Sequence, residues 1–427
     1  MNHHNFCSDL TISSSRDYFL RGGKPWFYLA DTAWSAFTNP TMEEWEYYLD
    51  YRKSQGFNVL QINILPQGDR SNNTRDEPKA FFSGADGKDD YHRPNPEYFK
   101  RAGKMVAMAA ERGFIPALVL LWGDRVCGTW SNKAFKSHHM PLECVEPYVK
   151  LAVDTFAKYR PIWYVSGDTD FPEESKPWFK TALKLLKDLT PLLFCSFHMG
   201  ADLLPEDLAA ENPGPDFYTF QSGHDPSSQD LTYKMAFKHR EMKVKRPVIN
   251  SEPCYEAIGG KIRFSAFDVR RAIWWSLLSG AKAGVSYGAH GVWSWHREGA
   301  YFCAGETHGL PLDWRSALKL PGAWDAAFAK KLFEMYRLME LDPRQDLLSG
   351  ALEHTRISAA ADVSSFAVYQ PYNREIKVKL DLSGYQITGV NLAERRFEYP
   401  KVTAGPDLSR VAITQSNADV LVIGVKE

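Results

Sequence analysis

Two short apolar runs in this chain each end in a carboxylate at a turn. Ile162-Trp-Tyr-Val-Ser-Gly-Asp168 presents Asp168, and Pro247-Val-Ile-Asn-Ser-Glu-Pro-Cys-Tyr-Glu256 presents Glu252. A strand that stops at a turn delivers its last side chains to the C-terminal rim of a parallel sheet, where barrel enzymes gather their reactive groups. Two such carboxyls can divide the work of cleaving a glycosidic bond. One is held protonated and donates to the leaving oxygen, while the other stays ionised and attacks carbon or activates water. Burial and a neighbouring negative charge raise the donor's pKa, and hydrogen bonds keep its partner ionised. A strand-end carboxylate can also merely cap the next helix, but two on separate strands favour the chemical reading. Side-chain alternation places Asn250 with Glu252 on one face, and Tyr164 and Ser166 with Asp168.

The elements needed to hold such a pair are legible. Eight apolar strand-like runs occupy Trp26–Asp31, Phe57–Asn63, Phe114–Leu121, Ile162–Ser166, Leu192–His198, Asp216–Gln221, Val248–Glu252 and Gly284–Ala289. They are apolar rather than strictly alternating, as expected of strands covered on both faces. Helical patterns separate most of them. Thr41 and Glu44 form a capping box ahead of Trp45, Tyr48, Leu49 and Arg52, and Gly56 closes that helix. Asn95-Pro96, Pro147, Pro177 and Ser265 open others. Eight β-then-α units predict a closed (β/α)8 TIM barrel over residues 1–344. An open doubly wound sheet is the alternative, but Leu29-Ala-Asp-Thr-Ala-Trp34 lacks the glycines of a phosphate-binding turn. Beyond Arg344 only short strand-like runs remain, predicting a C-terminal antiparallel β-sandwich domain over residues 345–427.

Further candidates flank the proposed mouth. Asp31 and Trp34 follow the first strand and could grip sugar hydroxyls and a ring face. Gln61 and Asn63 share a face of the second, with Asn63 nearer the rim. Trp122 ends the third, His198 the fifth, and Gln221 and His224 follow the sixth. Tyr255 lies where it could hydrogen-bond Glu252. His290, Trp293 and Trp295 follow the eighth, and at least one indole there is expected to floor a sugar subsite.

Bulk properties narrow the classes. With 51 Lys and Arg against 52 Asp and Glu, net charge is −1, which offers no basic surface for nucleic acid. The most apolar run, Phe114 to Trp122, is too short for membrane insertion. The six cysteines are scattered without a Cys-x-x-Cys pair, so neither a zinc site nor a disulfide framework is expected, and no metal or cofactor is called for. The 13 Trp and 20 Tyr supply flat faces with polar tips suited to a carbohydrate partner. Met1-Asn-His-His-Asn-Phe6 shows no basic and apolar leader, which predicts a cytoplasmic location, or a periplasmic or secreted one if the N-terminus has been trimmed.

Gly23-Lys-Pro-Trp-Phe-Tyr-Leu-Ala-Asp-Thr-Ala-Trp34, Tyr48-Leu-Asp-Tyr-Arg52, Gln55-Gly-Phe-Asn-Val-Leu-Gln61, the Trp163-to-Asp168 segment and the Pro247-to-Glu256 segment resemble the apiosidase-like proteins of glycoside hydrolase family 140. The resemblance covers nearly the whole chain. It implies a barrel joined to a β-sandwich named for collagen binding. It also implies a retaining, exo-acting glycosidase with Asp168 as acid/base and Glu252 as nucleophile. Related barrel glycosidases usually carry Asn-Glu at the fourth strand; Gly167-Asp168 departs from that and agrees with the apiosidase-like pattern. Characterised activity in the family concerns apiose in plant pectin, and the sugar is not carried over. Two other readings stand beside this one. The barrel could be a catalytically silent carbohydrate-binding or adhesion protein. Alternatively His198, His224, His290 and Asp31 could converge on a metal, although the His-x-His pair usual on the first strand of such hydrolases is missing.

Overall fold

Strand-forming runs rich in Val, Ile, Leu and Tyr give a central parallel sheet in this computed structural model, which describes residues 6–68, 71, 79–204, 206–210, 214–260, 262–350 and 353–427. The N-terminal reading of residues 1–5 lies outside these. The strands are Tyr28–Thr32 (β1), Val59–Asn63 (β2), Ile115–Trp122 (β3), Ile162–Gly167 (β4), Cys195–Ser196 (β5), Tyr218–Gln221 (β6), Val248–Glu252 (β7) and Gly284–Tyr287 (β8). Their order is β5-β4-β3-β2-β1-β8-β7-β6. Between β5 and β6 the ring is joined by the Asp216 N–H to the Cys195 carbonyl at 2.8 Å, and by Ser196 Oγ donating to the Phe217 carbonyl at 2.6 Å. This is a (β/α)8 barrel.

The principal helices are Met42–Gln55 (α1), Pro96–Glu111 (α2), Trp130–Phe135 (α3), Val145–Phe156 (α4), Lys176–Leu189 (α5), Leu231–Arg240 (α6), Ala266–Leu277 (α7) and Gly322–Met335 (α8). The Thr41 capping box is formed with Glu44, and Gly56 closes α1 in the left-handed region, as its residue types dictate. Ser265 forms a second capping box, with Asp268. The fifth strand is far shorter than its apolar run of Leu192–His198. Trp26 belongs instead to a small antiparallel sheet of Leu10–Ile12, Phe19–Arg21 and Lys24–Trp26. Phe19 of that sheet packs on Phe194 and Phe217, just ahead of β5 and β6, and so closes the barrel bottom.

The barrel interior carries a polar layer beneath the rim. Tyr28 donates to Gln61 Oε1 at 3.0 Å, and Gln61 Nε2 donates to the Ser251 carbonyl at 3.0 Å. Tyr28 and Gln61 are thereby satisfied, which avoids the cost of an unmade hydrogen bond. All six cysteines are free thiols.

The C-terminal strands are Asp342–Pro343 (β9), Arg356–Ala359 (β10), Ser365–Gln370 (β11), Ile376–Val378 (β12), Tyr385–Asn391 (β13), Arg396–Glu398 (β14), Lys401–Thr403 (β15), Ser409–Ala412 (β16) and Val420–Lys426 (β17). They form a six-stranded antiparallel sheet, β9-β10-β11-β17-β13-β14, and a three-stranded one, β12-β16-β15. Alternation splits the larger sheet between two cores. Ala367, Tyr369, Leu421 and Ile423 join the barrel's apolar core. Phe366, Val368, Val420 and Val422 pack with Ile376, Val378 and Val411 of the smaller sheet.

A buried ion cluster pins this joint. Arg270 on α7 donates to Asp419 at 2.7 Å and to Asp325 at 2.9 Å. Removing one member of a buried pair strands the others, at about 3–5 kcal/mol. Arg270→Ala should lower stability by that amount in urea unfolding; a loss below about 1 kcal/mol, the range of exposed pairs, would mean that apolar packing alone holds the sheets to the barrel.

Candidate active site

Glu252 ends β7 and lies in register with Gln221 at the end of β6. The register slips between Phe220 and Gln221, so one extra residue sits on β7. Such a bulge breaks side-chain alternation. Asn250 consequently does not accompany Glu252 to the rim. Its amide donates to Ser276 Oγ on α7 at 2.9 Å and to Ser222 Oγ at 3.1 Å.

Two imidazoles hold the Glu252 carboxylate. His198 Nε2 donates to Oε2 at 2.9 Å, and His224 Nε2 donates to Oε1 at 3.0 Å. The backbone fixes the His224 tautomer. The Tyr255 N–H, which can only donate, points at His224 Nδ1 at 3.3 Å, so the ring proton sits on Nε2 and faces the carboxylate. Burial alone would push Glu252 up, but the hydrogen bonds from His198 and His224 outweigh it and bring its pKa down to about 2.

Asp168 follows β4 in the left-handed region, at φ 42°, an uncommon conformation for a residue with a Cβ. Its Oδ1 accepts from Gln221 Nε2 at 2.6 Å. Burial, with the negative charge of Glu252 second, raises its pKa to about 6. Two carboxyls in one cavity are therefore driven in opposite directions, one towards an acid and the other towards an anion.

Both line a cavity of about 770 Å³ that opens at the C-terminal end of the barrel, within the size range of sites for drug-sized ligands. Its aromatic lining depends on two glycines. A Cβ on Gly167 would lie 2.3 Å from the Trp122 ring, and one on Gly288 would lie 2.0 Å from the Tyr255 ring. Trp34 Nε1 donates to the Tyr255 hydroxyl at 2.9 Å. Burial, with Glu252 nearby, pushes the Tyr255 phenol well above its ordinary range.

Of the residues singled out from sequence, Asp168, Glu252, Trp34, Trp122, Gln221, His224, Tyr255 and Trp293 line this cavity. His198 is fully buried and reaches it through Glu252. Asp31 does not belong to it. Its Oδ2 accepts from Arg52 at 2.7 Å and Tyr48 at 2.6 Å on α1. Tyr28 faces the barrel interior, so Asp31 three residues later faces the helices. Gln61 lies deeper, in the polar layer, and Asn63 donates to Gln67 Oε1 at 3.3 Å without lining the cavity. Trp295 stacks on Trp314 at 4.8 Å and is 1% exposed, a core residue. His290 positions others. Its Nδ1 accepts from Trp293 Nε1 at 3.1 Å, its Nε2 donates to the Gly309 carbonyl at 2.9 Å, and burial holds its pKa near 3. Asp31 is held by α1, His290 by Trp293 and the Gly309 carbonyl, and His198 and His224 both by Glu252, so the four do not form a shared ligand set. Glu256, four residues beyond Glu252, starts no helix of its own; its Oε2 accepts from Tyr287 at 2.7 Å and from the first N–H of α8 at 2.9 Å.

Sequence reading missed Gln67, Trp130, Ile262, Glu306 and His308, all of which line the cavity. They sit in the connecting segments after β2, β3, β7 and β8, Trp130 at the start of α3 and Glu306 and His308 in the helical turn Gly305–His308, where neither long periodicity nor a strand end marks a residue. Thr129, which caps α3 through Asn132, was the one available signal for Trp130.

A closed parallel barrel with an aromatic cavity and two opposed carboxyls at its C-terminal mouth is the architecture of a barrel glycoside hydrolase. Residues 13–340 match the family described as "Apiosidase-like, catalytic domain", and the chain belongs to that family. It is similar to a solved structure titled "Glycoside hydrolase", with 21% identity, a TM-score of 0.82, and 98% of this chain and 97% of that one covered. It is equally similar to a glycoside hydrolase family 5 protein from Bacteroides vulgatus, with 20% identity, a TM-score of 0.82, and 98% and 93% covered. A family 5 mannosidase from Rhizomucor miehei shares the barrel more loosely, with 13% identity, a TM-score of 0.52, and 78% and 99% covered. At these identities the likeness concerns the fold. No curated protein matches the sequence. Among the described residues, no helix is long and apolar enough to cross a membrane.

If His224 helps hold Glu252 ionised, His224→Ala should raise the Glu252 pKa from about 2 towards the ordinary carboxylate range. A carboxyl-carbon NMR titration reads this directly, and an unmoved pKa would assign the effect to His198 alone.

Proposed function

We propose that the chain is a retaining glycosidase that removes sugars from the ends of plant or bacterial polysaccharide-derived oligosaccharides. Asp168 is the acid/base and Glu252 the nucleophile. The observation that carries this reading is that one cavity holds two carboxyls in unlike surroundings, Glu252 bound by two imidazoles and Asp168 buried against one amide, which drives their pKa values apart, towards about 2 and about 6. Exo action and retention come from the family pattern, and the aromatic lining supports a carbohydrate substrate.

The chemistry follows from the charges. The ionised Glu252 attacks the anomeric carbon as the glycosidic C–O bond breaks, and Asp168 passes its proton to the departing oxygen. Once Glu252 is esterified its negative charge is gone. The repulsion that, after burial, helped raise Asp168 goes with it, so Asp168 becomes the base that takes a proton from the incoming water. Water then adds at the anomeric carbon, and the ester bond breaks to free Glu252. The product keeps its starting anomeric configuration, which NMR of the first-formed sugar checks.

Screening against plant and bacterial oligosaccharides should identify a substrate. Glu252→Gln should then abolish turnover. Asp168→Asn should slow unactivated substrates by about a hundred- to ten-thousand-fold while sparing bond cleavage for those with good leaving groups. Near-full rate in Glu252→Gln would refute the role assignment.

Activity needs Glu252 ionised and Asp168 protonated. kcat/KM should therefore rise as pH passes upward through about 2 and fall as it passes through about 6, with the maximum between. A profile that keeps rising above neutrality would contradict the assignment of Asp168 as acid.

A further inference from the structure

We propose that Trp130 is the platform for the leaving group, its open indole face stacking on the sugar or aromatic aglycone that departs from Asp168. The inference rests on the roles given above to Asp168 and Glu252. Four indoles line the cavity, and three of them, Trp34, Trp122 and Trp293, are 2–4% exposed. These form fixed walls. Trp130 is 42% exposed, yet it is not free to swing. It opens α3, whose cap Thr129 accepts from the Asn132 N–H at 3.2 Å and donates to the Gly123 carbonyl at 2.6 Å. The Trp130 N–H donates to Asp170 Oδ1 at 3.0 Å, and its indole Nε1 donates to the Asp168 carbonyl at 3.1 Å. An immobilised aromatic ring that keeps a face in water suits a partner that arrives and departs, because little side-chain entropy remains to be lost when it stacks.

Its tether defines which partner. A general acid protonates the oxygen between the sugar being cleaved and the group being expelled. A ring tied to the backbone of that acid therefore lies beside the expelled group. The opposite wall belongs to Glu252. Loops after β7 and β8 meet there, with the Gly259 N–H donating to the His308 carbonyl at 2.8 Å. Strand order puts β3 and β4 across the ring from β7 and β8. The cavity thus has a polarity: the retained sugar sits towards Ile262 and His308, and the leaving group towards Trp130.

Two substitutions separate stacking from tethering. Trp130→Phe keeps an aromatic face but loses the hydrogen bond to Asp168, and Trp130→Ala loses both. Each is assayed on the methyl glycoside, the para-nitrophenyl glycoside and the disaccharide of the sugar released in the oligosaccharide screen. Trp130→Ala should lower kcat/KM about tenfold on the para-nitrophenyl glycoside and the disaccharide, leave the methyl glycoside within about twofold, and be largely rescued in Trp130→Phe. The alkaline limb of the pH profile should not move. Equal losses on all three substrates in both variants, or a shifted alkaline limb, would overturn the proposal and make Trp130 a positioning residue for Asp168. Retained turnover in Glu252→Gln would overturn the roles beneath it instead, and the proposal with them.

Discussion

A buried carboxylate kept ionised by two imidazoles is the constraint on which the site depends. Taking a carboxylate out of water costs several kcal/mol unless hydrogen bonds replace its hydration. His198 and His224 supply one bond to each oxygen of Glu252. They lie just beyond the ends of β5 and β6, so three consecutive strands must hold their places for the anion to persist. Were Glu252 to take up a proton, Asp168 would lose the neighbouring charge that helps raise it. The acid and the anion are one electrostatic object.

Much of the surrounding structure keeps those donors aimed. Ser251, the extra residue of the bulge, lies 2.9 Å from His198 Nδ1 through its hydroxyl, while its carbonyl accepts from Gln61 and Ser286 below the rim. The Tyr255 N–H fixes the His224 tautomer, and the Tyr255 ring fits only because Gly288 has no side chain. Asn250 faces the helices and anchors β7 to α7 through Ser276. Each of these groups is polar, buried and partnered, the condition under which a network orders a site rather than weakening it.

The barrel was legible because strands covered on both faces are mainly apolar rather than alternating, and those runs stand out. Their ends were less so. Leu192–His198 is mostly apolar, yet only Cys195–Ser196 pairs as strand, because β5 lies where the ring is joined to β6 by irregular bonds. The catalytic candidates were legible as carboxylates at strand ends. Asp31 met the same criterion and belongs elsewhere. Parity settles the matter, since it lies an odd number of residues from the inward-facing Tyr28. Asn250 shows the limit of parity, because a bulge that no residue type announces reversed it. Trp293 and Trp295 were indistinguishable by composition. The first meets His290 at the cavity and the second meets Trp314 in the core. Only the turn between them decides.

The C-terminal sheets connect to this site through α8. Arg395, beside β14, donates to Asp325 on α8 at 2.6 Å, and Arg270 of α7 shares that carboxylate. The first N–H of α8 is held by Glu256, an acceptor at a helix N-terminus, where the dipole favours a carboxylate. Glu256 also bridges to Ala289 beyond β8 and accepts from Tyr287. The loop that leaves Glu252 is thus fixed four residues later to a helix that the sandwich clamps about one turn further on. A β-sandwich placed this way braces the wall behind the anion, which gives it a mechanical reason to accompany the barrel that is independent of any ligand it could bind.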